Sequence, residues 1–108
     1  MDATRQIKII NDFIAQGVDN YTFENPEDMI LTISGLRGAH QFQLAIDLYQ
    51  KHELVLQHPD FSLVALTNII EVCNDFNNIP LLIKYAKELK AIAPDHPFVI
   101  TLSKSYSI

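Results

Sequence analysis

At 108 residues, 48% hydrophobic and 19% charged, with three glycines, the chain has the composition of one globular domain with its own core, not of a disordered chain. Its net charge of −5 works against a sequence-independent grip on phosphate backbones, because that affinity comes from counterions released by clustered Lys and Arg.

The elements follow in chain order. A first helix is predicted from Asp2 or Thr4 to Gln16, with Ile7, Ile10, Phe13 and Ile14 on one face and Gly17 as its stop. Residues 17–25 read as a loop whose Tyr21 and Phe23 tuck back against the core. The second helix has Asn25 as N-cap, Pro26 at its first position and Glu27 and Asp28 in its first turn, where acids meet the positive end of the helix dipole. It runs through Met29, Ile30, Ile33 and Leu36, and Gly35 permits a close helix approach. A third helix is predicted from about His40 to His58, with Phe42, Ala45, Ile46, Tyr49, Val55 and Leu56 on its packing face. The fourth, from Asp60 or Phe61 to Asp75, presents Leu63, Leu66, Ile69, Ile70 and Cys73 to the core. The fifth begins near Pro80, packs through Leu82, Tyr85, Ala86, Leu89 and Ile92, and ends before Pro94. The sixth, Pro97 to about Tyr106, packs through Phe98, Val99 and Leu102.

Displacing the chain along itself by 37 positions lays Ile33 on Ile70, Leu36 on Cys73, Ala45 on Leu82, Ile46 on Ile83 and Leu48 on Tyr85. Between the two apolar stripes of each unit lies a polar or glycine-containing break, RGAHQ in one and NDFNN in the other, where the chain should turn. HPDFSLV (His58 to Val64) and HPFVITL (His96 to Leu102) form a further echo, each opening a helix with proline in its first turn. A hairpin that cannot bury its apolar face alone must stack on a neighbour.

The second unit, Leu66 to Pro97, resembles a degenerate tetratricopeptide repeat: Leu66, Ile69, Ile70 and Cys73 fall on the first-helix pattern, and Leu82, Ala86, Leu89 and Pro94 on the second. Leu82 and Leu89 stand at places where that family favours a small residue. The first unit, Thr32 to Tyr49, resembles the related pentatricopeptide repeat as well. The resemblance covers about two thirds of the chain and implies an all-α fold of antiparallel helical hairpins, stacked as a short right-handed repeat array of about six helices. In that arrangement residues 1–108 are a single helical-repeat domain, with 1–16 a capping helix, 26–58 the first hairpin, 60–93 the second and 97–106 a C-terminal capping helix.

The resemblance also implies that the first helix of each hairpin turns its non-core positions to a ligand. These are Thr67, Glu71, Asn74 and Asp75 in the second unit and Ile30, Ser34, Arg37 and Gly38 in the first, so the ligand-binding candidates are Ser34, Arg37, Thr67, Glu71, Asn74 and Asp75. Asparagine can both donate to and accept from a ligand backbone, and the two acids favour a basic ligand segment. The competing reading is the solvated face of an amphipathic helix. Lys84, Lys87 and Lys90, interspersed with Glu88, read as a charged solvent face.

No catalytic residues, cofactor or metal site are expected. The four histidines show neither i, i+4 spacing nor HExxH, and no phosphate loop or nucleophile elbow occurs. The lone Cys73 lies in an apolar stripe and reads as core. MDATRQIKII lacks a signal peptide's apolar run, and no uncharged stretch approaches the roughly 18 residues of a membrane span, so a cytoplasmic protein without membrane association is expected. The leading functional expectation is a noncatalytic module that binds a protein or peptide, with a homodimer allowed. The alternatives are a small structural subunit of a larger assembly, or a pentatricopeptide-like RNA reader using Thr67, which the acidic balance disfavours.

Overall fold

The computed structural model describes residues 3–108, which form seven helices and no strand: α1 (Ala3–Gln16), α2 (Pro26–Gly38), α3 (Phe42–Lys51), α4 (Glu53–Leu56), α5 (Ser62–Asp75), α6 (Ile79–Ile92) and α7 (Pro97–Ser105). The chain is all-α, with seven described helices in place of the six expected. The alternative start of the first helix at Asp2 lies outside the described residues.

Local chemistry sets several boundaries. The Asn25 side chain accepts a hydrogen bond from the Asp28 backbone N–H at 2.9 Å, capping α2 behind Pro26. Gly17 ends α1 with φ +88°, a backbone region that glycine enters without steric cost. Two turns then share one design. After α2, His40 takes φ 58°, its N–H donates to Arg37 O, and the Gln41 N–H donates back to Leu36 O. After α5, Asn77 takes φ 57°, its N–H donates to Asn74 O, and the Asn78 N–H donates to Cys73 O. This is the Schellman arrangement, which satisfies the last carbonyls of a helix. It occurs twice, 37 positions apart, at the two polar breaks.

The predicted third helix is a correction. It breaks at His52, whose backbone (φ −106°, ψ 21°) leaves helical values while its ring packs edge-on against Phe23 at 5.7 Å. The short α4 that follows stops at Leu56, two residues before His58, which precedes Pro59 and is disfavoured in helical geometry for that reason. The break also resets the apolar face. Leu56 is fully buried, but Val55, expected to pack, is 42% exposed and Leu54 is 89% exposed. Leu63 and Ile92, also assigned to the core by periodicity, are about half exposed, as are Ile7 and Ile14 on α1. Ile30, assigned to the ligand face, is buried in the core.

The two His-Pro segments are alike locally and unlike as helix starts. His58 Nδ1 accepts from the Asp60 N–H at 3.1 Å, and His96 Nδ1 accepts from the Phe98 N–H at 3.0 Å. Pro97 is the first residue of α7, whereas Pro59 stays in the preceding turn because Phe61 (φ −121°) intervenes before α5 opens at Ser62.

Packing joins α2 to α3 and α5 to α6 across short turns, sets α2 and α3 against α5, and places α1 on α2 and α7 on α6. The core runs through the whole set, from Phe13 through Ile33, Leu36, Ile46, Leu48 and Tyr49 to Ile69, Leu82, Tyr85 and Leu89. Tyr49 and Tyr85 meet edge to face at 5.0 Å in its middle, and Tyr21 and Phe23 pack on Phe13 as expected. At the N-terminal end, Arg5 holds Asp28 through two hydrogen bonds of 2.9 and 2.7 Å. That guanidinium holds the buried Asp28 carboxyl below its ordinary pKa against the opposing effect of burial. None of the described helices is long and apolar enough to cross a membrane.

Candidate functional site

Four of the six expected ligand residues come together. Arg37 lies in the last turn of α2, and Glu71, Asn74 and Asp75 occupy the last two turns of α5. Residues four apart on a helix share a face, so Glu71 and Asp75 both point toward Arg37. The Arg37 Nη1 donates to Glu71 Oε2, and its Nε donates to Asp75 Oδ2 at 2.6 Å. All three side chains remain a little over one third exposed, so solvent screens these pairs. The bond to Asp75, reinforced by both carboxylate charges, pushes the Arg37 pKa up and keeps the guanidinium charged.

These groups rim a cleft of about 280 Å³ between α5 and α7, into which Arg37 reaches from α2. Ile70, Phe98 and Leu102 make its apolar part, and Asn74 and Thr101 add neutral polar groups. An apolar seat with a few convergent polar groups is the usual chemistry of a recognition site, and this volume lies just below the range usual for drug-sized ligands.

Ser34 and Thr67 lie outside the lining of this cleft. Ser34 is exposed on α2, while the Thr67 hydroxyl donates to Val64 O at 2.9 Å, a bond within its own helix. The two acids are not free to act as an isolated pair of charges, since each already accepts from Arg37. Sequence reasoning missed the contribution of α7, which it treated only as a cap. The signal was present in the sequence of α7 itself: Phe98, Val99 and Leu102 make its packing face, which leaves Thr101 at a non-core position.

A second groove, about 510 Å³, lies among the end of α6, the start of α5 and the turn after α4. Leu63, Leu66, Ala91 and Ile92 make it largely apolar, and Glu88 lies along it. The Glu88 Oε2 is buried without a hydrogen-bond donor among the described residues, and burial raises its pKa. Elsewhere, burial pushes the Cys73 thiol up to about 12, which leaves it protonated and unreactive at neutral pH. Lys84, Lys87 and Lys90 are exposed on α6, with Lys84 also 5.3 Å from the Tyr85 ring centroid. Among the described residues no group of three or more His, Cys, Asp or Glu could hold a metal ion. In comparisons with known proteins, no family model matches the sequence, and no curated protein or solved structure is significantly similar to it.

Proposed function

We propose that this chain is a noncatalytic interaction module of the tetratricopeptide-like kind, acting in the cytoplasm, that binds a protein or peptide segment in the cleft between α5 and α7. The observation that supports it is the convergence of Arg37, Glu71 and Asn74, from the first helices of the two proposed hairpins, on one apolar-floored cleft. Asn74 supplies a donor and an acceptor for a ligand backbone, Ile70, Phe98 and Leu102 take an apolar side chain, and Thr101 completes the rim. The Arg37 bridge links α2 to α5 at the rim.

The second reading, a structural subunit of a larger assembly, draws on a different observation. Leu63 and Ile92 are about half exposed along the second groove, and apolar surface of that kind commonly marks a contact with another chain or a second copy of the same one.

Affinity capture of the tagged protein at moderate salt, with and without nuclease, separates the readings when a Thr101→Arg variant is run beside the natural sequence. A protein retained by the natural chain after nuclease and lost by Thr101→Arg is the expected result. Retention by both places the partner on another surface and favours the assembly subunit. Loss on nuclease treatment makes RNA the ligand and overturns the proposal.

A further inference from the structure

We infer that the segment seated in this cleft carries one large apolar side chain flanked by a Lys or Arg, and that acidic segments are excluded. This rests on the proposed reading of the cleft as a peptide site and adds the chemistry of the occupant.

Two observations converge on a cation. The charged lining consists of one base, Arg37, and two acids, Glu71 and Asp75, which leaves one net negative charge. Arg37 occupies Glu71 Oε2 and Asp75 Oδ2. A carboxylate has two oxygens and about four lone-pair sites, so Glu71 Oε1 and Asp75 Oδ1 remain to accept from a ligand ammonium or guanidinium. A ligand carboxylate would meet two acids, with only the already engaged Arg37 in its favour.

The apolar requirement follows from size. A volume of about 280 Å³ between Ile70, Phe98 and Leu102 is below the usual range for drug-sized ligands, roughly 300–1,000 Å³. It suits one bulky side chain better than the row of anchors along an amphipathic helix, so the ligand is a short segment.

The test uses three acetylated, amidated peptides of equal length with a central Leu flanked on both sides by Lys, by Gln or by Glu. They are titrated into the isotope-labelled full chain while amide chemical shifts are followed. The Lys-flanked peptide should shift Asn74, Thr101 and Leu102 and bind about three- to tenfold more tightly than the Gln-flanked one, with the Glu-flanked one weakest. The advantage of Lys should shrink at high salt. It should disappear in a Glu71→Gln/Asp75→Asn double variant that still takes the Gln-flanked peptide. If that variant fails to fold, as read by circular dichroism, the ranking on the natural chain decides alone. Equal or tighter binding of the Gln- or Glu-flanked peptide overturns the cation requirement and leaves the cleft reading standing. Absence of shifts at these residues with all three peptides removes the cleft reading and this inference together.

Discussion

Tyr49 and Ile70 are buried in the core. Tyr49 is completely buried, and its ring meets Tyr85 edge to face, an arrangement favoured by the ring quadrupoles. Truncation loses transfer free energy and leaves a cavity that the surrounding helices fill only in part. Tyr49→Ala is therefore expected to cost about 3–5 kcal/mol and Ile70→Ala about 2–5 kcal/mol, read as the shift in a urea unfolding curve. A shift near zero at either site would place it outside the core. Glu88 behaves in the opposite sense. Burial raises its folded-state pKa above the ordinary 4.5, the neighbouring Glu53 adds to that effect, and Lys84 and Gln57 oppose it. The folded state therefore favours the protonated acid: the associated stability is complete below pH 4.5 and is lost as pH rises through the raised value. Glu88→Gln should accordingly unfold at a higher temperature than the natural chain at pH 7, with the gap closing below pH 4.5. A gap independent of pH would show that the carboxyl's charge is not the cause.

The elements were legible in the sequence wherever a boundary is made by a residue and its immediate neighbours. Asn25, Pro26 and Gly17 set the ends of α1 and α2 through hydrogen bonds or backbone angles within a few residues. The end of α3 was not legible, because nothing in KHELVL signals a break. The departure at His52 accompanies a contact with Phe23, nearly thirty residues earlier. Helix faces show the same division. Periodicity placed Phe13, Ile33, Ile69 and Leu89 correctly but could not tell that Leu63 and Ile92 stand about half exposed along a surface groove. Gly35 gives an element-scale prediction. A Cβ at this position would lie 2.2 Å from Ile10 Cδ1, so α1 and α2 approach through the missing side chain. Gly35→Ala gains about 1 kcal/mol in helix propensity and must displace that methyl group. Ile10→Val removes the clashing atom. In a double-mutant cycle the pair should be more stable than the sum of its single changes, with a coupling of about 0.5–2 kcal/mol. Strict additivity would mean that Ile10 rotates aside without cost.

Across the whole molecule the Arg37 bridge is the principal charged link between α2 and α5, which are separated by the entire α3–α4 segment. Its three side chains are partly solvated, so each pair contributes less than about 1 kcal/mol. Arg37→Met should lower stability by no more than about 1–2 kcal/mol in total, and the difference should narrow as sodium chloride is raised. A salt-independent loss would assign the effect to packing of the arginine stem. Arg5 and Asp28 join α1 to the start of α2, with the Asp28 carboxylate buried and Arg5 partly exposed. The folded-state pKa of Asp28 is depressed, chiefly by that hydrogen bond, so its contribution is present above the ordinary 3.8 and is lost as pH falls through the lowered value. Asp28→Asn should therefore reduce the melting temperature at pH 7, with the deficit fading in acid.

The sequence by itself determined that the chain is helical, where most helices start, which turns reverse it and which residues form the two principal apolar stripes. Those properties depend on caps, prolines and a period of 3.6 residues, all readable within a few turns of chain. The resemblance to helical repeats also singled out Arg37, Glu71, Asn74 and Asp75, as non-core positions on the first helix of each unit. Only the tertiary structure decided that Arg37 engages both acids, that Ser34 and Thr67 fall outside the cleft, and that α7 supplies its far wall. The reason is physical: a pairing of charges 34 and 38 residues apart, or a cleft between α5 and α7, depends on where whole helices come to rest against one another. Local periodicity specifies which face of a helix is buried and leaves open what it is buried against.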